Sequence, residues 1–550
     1  MRRILLYFLC VAAFWSRGGK VVAGSSDSTD AFDVLHYDLH ISFNFAAKSF
    51  AGSVGVTAAS LRPLREIALD AADASLTIDS VYSDDVKMEF THAANTLTVS
   101  FDEAVPESTQ FEVSIFYHGR SEYTGQYDEG GVYFISNQRL ATISEPAFAR
   151  NWWPCKDRPS DKATAHVTIT VPESLTAVSN GVLKEVTHGA GTASYSWETK
   201  YPTATYLFSV AVAPYARYSE TYTGSSGTRM PVDYYVYRED SAASRIDFQN
   251  TIKILGFFSR TFREYPFIHE KFGLAEVDGS MTMEHQTICS IQKSMITGDR
   301  TYETTIVHET AHHWWGNFIT PLNWKHTWLS EGFATYAEAL YIEETQGKDS
   351  AARYIHEWMG NEQGRYAGSI TGKSDTSFWD SFAPRVYNKG ALVLHMLRGV
   401  TGDSLFFVIM RNYLANPVRS YGNATTEDFI RECESITGTP MKWFFDQWVF
   451  NAPESIDRPE YRYRWESTEE GSGFSTTLHL EQPTADRQFY RMPVRISLVY
   501  DGARTDTTVE NTFPSQSYTF TTKNRPADLL IDAGDKIMKI VTREKPRRSK

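Results

Sequence analysis

His308-Glu309-Thr310-Ala311-His312 is followed, after eighteen intervening residues, by Glu331 in the run Trp328-Leu329-Ser330-Glu331-Gly332-Phe333-Ala334. Residues four apart share one face of a helix, so a helix over Thr304–Trp315 turns both imidazoles toward one ion. Glu309, beside the first histidine, reaches a water held at that ion more easily than the ion itself. Zinc asks for a third protein ligand and leaves a fourth position for water. Glu331, opening a second helix over Glu331–Gln346, supplies that ligand. Alone, the five-residue motif also fits two histidines on an ordinary amphipathic helix. The carboxylate at this spacing favours a single zinc ion on His308, His312 and Glu331, with Glu309 as general base.

Outward from this stretch the hydrophobic period divides the chain. Ile246–Glu264 places Phe248, Ile252, Leu255, Phe258 and Phe262 on one helical face. Further helices are expected at Ala351–Asn361, Lys389–Val400, Leu405–Asn416 and Thr426–Thr437, with a short strand at Leu274–Val277. Before this α-rich middle, strict alternation in Tyr37–Phe43 and Ala165–Val171 reads as half-buried strands of a large all-β region. After it, alternation returns in Tyr461–Trp465, Thr477–Leu480 and Val494–Val499, the pattern of a small β-sandwich. The expected division is 24–218, 219–450 and 451–545, giving an α+β multidomain chain.

The 550 residues are 42% hydrophobic and 14% aromatic, which excludes wholesale disorder and suits about three domains. A formal net charge of −13 offers no basic footprint for nucleic acid beyond the short tail Arg543–Lys550, so no nucleic-acid partner is expected. The four cysteines, Cys10, Cys155, Cys289 and Cys433, form no paired-cysteine zinc knuckle. At the N-terminus, Arg2-Arg3 precede the apolar run Ile4–Trp15, and Val21-Val22-Ala23 resembles a cleavage site. Residues 1–23 therefore read as a signal peptide and the chain as exported, secreted or periplasmic. No transmembrane span is expected after signal removal, with an uncleaved N-terminal anchor as the alternative. Nothing in the sequence sets an oligomeric state.

The stretch from His308 to Leu340 resembles the zinc region of the aminopeptidase N family of metallopeptidases, in which the two histidines, the base Glu and a Glu eighteen residues on recur in a WLxEGFA setting. Three further segments carry the resemblance. Gly279-Ser280-Met281-Thr282-Met283-Glu284-His285 is similar to the family's GxMEN substrate motif, with Met281 in place of the Gly and His285 in place of the Asn. The run Ile143-Ser144-Glu145-Pro146, continuing to Pro154-Cys155-Lys156-Asp157, is similar to its QxEP…PCxD segment, with Ile143 in place of Gln. Val386-Tyr387-Asn388-Lys389-Gly390-Ala391 is similar to its YxKGA segment.

The resemblance implies a saddle-like N-terminal β domain, a thermolysin-like catalytic domain and a C-terminal β-sandwich, and the chain ends before the large C-terminal helical domain that the family often adds. It also implies roles. His308, His312 and Glu331 would hold zinc, Glu309 would be the base and Tyr387 would stabilise the oxyanion. Glu284 and Glu145, with Met283 beside them, would take the free amine of a peptide substrate. The expected activity is a zinc-dependent aminopeptidase, a hydrolase removing the N-terminal residue from peptides. A zinc metalloendopeptidase and a non-catalytic interaction module are the alternatives. His313 points about 100° away around the helix and reads as packing, and Glu338 as a partner that orients a ligand imidazole.

Overall fold

Alternation of apolar and polar residues from Phe32 onward builds a large mixed sheet. The computed structural model describes residues 29–121, 129–279, 282–360, 366–373, 381–450, 458–483 and 488–544. Residues 1–23, expected from the sequence to be a signal peptide, and the Met281 position lie outside them. Eight strands stand in the spatial order Val182–His188, Thr192–Ala204, Lys162–Pro172, Phe32–Asn44, Ser49–Ser60, Gln110–Arg120, Leu76–Ser83 and Val86–Lys87. All pairings in this sheet are antiparallel except one: Phe32–Asn44 runs parallel to Lys162–Pro172, with Asp38 opposite His166. Alternate residues Tyr37, Leu39, Ile41, Ala165, Val167 and Ile169 point inward to a core that also buries Trp152, Trp153 and Trp197. Each such large side chain contributes about 1.5–3 kcal/mol on burial. Smaller four- and three-stranded sheets complete this region.

The middle region starts from a four-stranded sheet, Ala216–Thr223, Arg229–Val236, Phe272–Val277 and Cys289–Gln292. The helix expected over Ile246–Glu264 is two, Ser241–Asp247 and Thr251–Thr261. The break follows from Asp247, whose carboxylate accepts from the backbone amides of Thr297, Gly298 and Arg300 at 2.7–2.8 Å and so anchors a distant loop. The helix carrying the HExxH motif spans Glu303–Ala311 and stops short of the expected Trp315, because the chain turns over His312–Trp315. The next helix begins at Trp328 and runs to Gln346, which puts Glu331 inside its first turn. Gly390–Ala415 combines the two helices expected there and is broken at Gly402, where φ is +77°. It is long and apolar enough to cross a bilayer, but Leu392–Leu397 are buried in the core. Thr426–Thr437 forms as expected, started by a capping box between Thr425 and Asp428 and ended by left-handed Gly438.

The last region sets a four-stranded sheet against a three-stranded one, with Tyr461, Leu478, Leu480, Val494, Ile496 and Leu529 between them. Its core is continuous with the middle region, where Trp448 and Tyr490 lie with ring centroids 4.5 Å apart.

Candidate metal centre and substrate cleft

The motif helix and the helix that follows it converge on one point. His308 Nε2 lies 3.2 Å and His312 Nε2 3.4 Å from the same oxygen of Glu331, Oε2. These separations are close to the ligand–ligand edge of about 3.3 Å that a tetrahedral zinc site with 2.0–2.1 Å bonds requires. The opposite ring nitrogens are committed to acceptors. His308 Nδ1 donates to Glu338 Oε1 at 2.8 Å, and His312 Nδ1 donates to the Trp315 carbonyl at 3.0 Å. With Nδ1 committed in this way, the protons that bridge Nε2 to the Glu331 carboxylate are the ones a cation would replace, leaving both Nε2 lone pairs and the carboxylate oxygen directed at it. The donor set fits one zinc ion. Burial opposes ionisation of Glu331, but His312 and His308 hold its carboxyl down to about 2.

Carboxylates crowd the same cleft. Glu309 and Glu284 each present an oxygen that, with a His312 nitrogen, forms a set mutually within 4.8 Å; Glu145, Glu284 and Glu331 form another. All four are buried. Burial, with Glu284 and Glu331 close by, raises the Glu309 carboxyl to about 8 against the pull of His308 and His312. Glu145 is pushed well above the ordinary carboxylate range by burial, then by Glu284, Glu331 and Glu309. Glu284 Oε1 has no hydrogen-bond partner. A buried carboxylate pair with only the His312 ring as a nearby cation, 3.8 Å from Glu284 Oε1, is costly unless a further cation arrives.

The loop bearing Glu284 is held from the N-terminal β region. Asn180 Nδ2 donates to the Gln286 carbonyl at 2.7 Å, Gly181 N to Thr287 Oγ1 at 2.8 Å, and Gln286 Nε2 to Thr203 Oγ1 at 2.6 Å. From the motif side, Asn317 Nδ2 donates to the Glu284 carbonyl at 2.7 Å. His313 accepts from Thr287 N at 3.0 Å through Nε2, and burial lowers its pKa to about 3. It joins this loop to the motif helix and stays off the metal set. His285, the residue at the Asn position of the motif, is buried and bonds Ser290 Oγ at 2.9 Å.

Met283 exchanges two backbone hydrogen bonds with Ser290 and turns its side chain into a small apolar cluster with Ala204, Tyr206, Leu207 and Trp324, joined by Phe382. Tyr206 and Trp324 were not legible as cleft residues. They come from distant segments, and the short strand pattern around Tyr206 carries no motif. Tyr387 sits in a π-turn, Arg385–Lys389, at the head of the helix Gly390–Ala415. Its ring stacks over His308 at 6.3 Å between centroids, and burial, then Glu331 and Glu145, raises its phenol well above the ordinary value. Lys389 Nζ clamps the preceding segment by donating to the Tyr366 and Gly368 carbonyls at 3.1 and 2.9 Å. The cleft therefore brings together His308, His312, Glu331, Glu309, Tyr387, Glu284 and Glu145, with Met283 in the adjoining apolar wall.

Two imidazoles and one carboxylate on a helix pair, with a second carboxylate, Glu309, beside them, make a donor set suited to one zinc ion with a base at its side. Residues 34–207 match the peptidase M1 N-terminal domain, and residues 246–448 match the peptidase family M1 domain. The chain belongs to peptidase family M1. It is 27% identical over 450 residues to aminopeptidase M1-B of Oryza sativa subsp. japonica, covering 76% of this chain and 49% of that one. It is likewise 27% identical over 351 residues to aminopeptidase N of Streptomyces lividans, covering 58% and 39%. The chain thus spans about half the length of the curated plant relatives that it matches. In fold it is similar to the M1 zinc metallopeptidase of Deinococcus radiodurans, with a TM-score of 0.69 and 24% identity over 77% of this chain and 94% of that one. It is also similar to Legionella pneumophila aminopeptidase A, with a TM-score of 0.79 and 19% identity over 96% and 61%.

Proposed function

We propose that the protein is a zinc-dependent aminopeptidase that hydrolyses the first peptide bond of substrates with a free N-terminus. The observation that carries this reading is the buried pair Glu145 and Glu284 beside the metal set, with Glu284 Oε1 left without a hydrogen bond and facing only the His312 ring at 3.8 Å. An α-ammonium is the cation that such a pair accepts, and binding it there places the first peptide bond over His308, His312 and Glu331. Zinc, when bound by these three residues, supplies Lewis acidity to the scissile carbonyl and the attacking water. Glu309 takes the proton from that water and returns it to the leaving amine. The Tyr387 hydroxyl donates to the carbonyl oxygen as negative charge develops on it. The naming of its relatives as aminopeptidases supports the reading, as does the binding of a Tyr-Ser-Ala substrate to a mutant of the Deinococcus radiodurans enzyme.

The test pairs aminoacyl fluorogenic amides with their N-acetyl forms, with and without a chelator. Chelator-sensitive cleavage of the free-amine set alone is expected. Equal cleavage of both sets would make the protein an endopeptidase and remove the amine-binding roles of Glu145 and Glu284. Absence of turnover with zinc bound would leave a binding module.

We also propose that the chain is exported behind a cleaved signal peptide. The support is Arg2-Arg3, the apolar run Ile4–Trp15 and the small residues near Ala23. N-terminal sequencing of the mature protein should begin near Gly24; a chain still starting at Met1 and fractionating with membrane would replace the cleaved signal by an anchor.

A further inference from the structure

The outward face of the eight-stranded sheet brings two histidines onto one aspartate, remote in sequence from the peptidase motifs. His36, Asp38 and His40 alternate along one strand with the buried residues Tyr37, Leu39 and Ile41, so all three face outward. The parallel pairing of this strand with Lys162–Pro172 sets His166 directly opposite Asp38. His40 Nε2 and His166 Nδ1 each lie 3.2 Å from one oxygen, Asp38 Oδ1.

We propose that Asp38, His40 and His166 form a second binding site, for a divalent transition-metal ion of the zinc class, on the surface of the β region. Two of the three ligand–ligand edges already match the length of about 3.3 Å demanded by a tetrahedral site. They also match the 3.2 and 3.4 Å edges of the catalytic set. The third edge is open, since the two ring centroids are 6.3 Å apart, against 4.7 Å for His308 and His312. The His40 and His166 side chains are 49% and 36% exposed, so both rings have room to rotate toward each other without moving the sheet. His166 Nε2 stands 2.5 Å from Ser196 Oγ and can carry the ring proton toward that hydroxyl, which frees the Nδ1 lone pair for the ion. Imidazole with a single carboxylate selects zinc, copper or nickel over calcium and magnesium. His36 stays outside the set, held 2.8 Å from Thr164 Oγ1. Remaining positions on the ion fall to water, because the face is open.

The test is equilibrium dialysis of the full chain, already loaded at its catalytic centre, against graded zinc, with bound metal counted by elemental analysis. The wild type is expected to take up a second equivalent at sub-millimolar free zinc. His40→Gln and His166→Gln should each lose that equivalent while retaining the first, full peptidase turnover and the metal-free thermal midpoint. His118→Gln, which removes a lone exposed histidine paired with Asp79, should keep both equivalents. One equivalent in the wild type would overturn the proposal, as would a second equivalent that survives in both the His40 and His166 variants.

Discussion

Gly332 and Gly390 meet backbone to backbone: a Cβ on either would stand 2.9 Å from the other's Cα. Gly332 follows the metal-set residue Glu331, and Gly390 lies one turn past Tyr387. This contact lets the two helices close enough for the Tyr387 ring to lie over His308. Gly390→Ala should therefore destabilise the protein by about 1–3 kcal/mol, the usual cost of overpacking. It should also lower kcat, because the phenol moves off its position. Thermal unfolding and steady-state kinetics on one preparation check both effects, and unchanged kcat would separate the helix contact from the placement of Tyr387.

Glu309→Gln keeps the size of the side chain and removes its basicity. Metal content should stay at the wild-type level, because Glu309 adds no atom to the three that converge on the zinc position. Turnover should fall by roughly 10²–10⁴-fold, the range for a positioned general base. Elemental analysis beside kcat measurement distinguishes this from loss of metal.

Glu284→Gln and Glu145→Gln weaken the hold on the substrate ammonium. A hydrogen bond to a charged group is worth about 1.5–3 kcal/mol, so KM for free-amine substrates should rise roughly ten- to hundredfold. Any residual cleavage of N-acetylated substrates should not change. A KM unaltered in both variants would remove these residues from amine recognition.

Tyr387→Phe deletes one donor to the developing oxyanion. A loss of roughly 10²–10³-fold in kcat with little change in KM is expected, since the hydrogen bond tightens only as charge appears on the oxygen. A shift confined to KM would make Tyr387 a binding residue.

His395 predicts an acid-sensitive stability. It is buried where the helix Gly390–Ala415 meets the last region, its Nε2 3.1 Å from the Asp535 carbonyl, and burial, then Lys536, lowers its pKa to about 3. Between pH 6.5 and about 3 the unfolded chain holds the extra proton. The stabilisation is thus fully present above pH 6.5 and is lost as pH falls, at up to ~1.4 kcal/mol per pH unit. In His395→Gln the fall in thermal midpoint from pH 7 to pH 5 should be shallower than in the wild type.

The metal set was legible because its chemistry needs fixed spacings within one helix and a nearby partner, which His308, His312 and Glu331 display directly. Helix ends were less legible. Nothing in Ile246–Glu264 announces that Asp247 serves the amides of residues 297–300, and it is this tertiary demand that splits the helix. The apolar wall of Met283, Tyr206 and Trp324 was hidden because its members come from three separate segments. The Asp38–His166 approach was hidden for the same reason, since a parallel pairing between strands far apart in sequence creates it. Alternation reveals which face a strand residue takes but not which strand stands beside it.

The two carboxylates assigned to the substrate amine have different owners. Glu145 belongs to the N-terminal β region, whereas Glu284 sits on a loop of the middle region pinned by Asn180, Gly181 and Thr203 from across the boundary. The hydrolytic machinery, by contrast, comes wholly from the middle region. On the proposed reading, the groups that would cut all come from one region, whereas measuring where to cut needs both regions in register. Slippage between them would first cost the protein its sense of where a peptide begins, well before it cost the ability to break a bond.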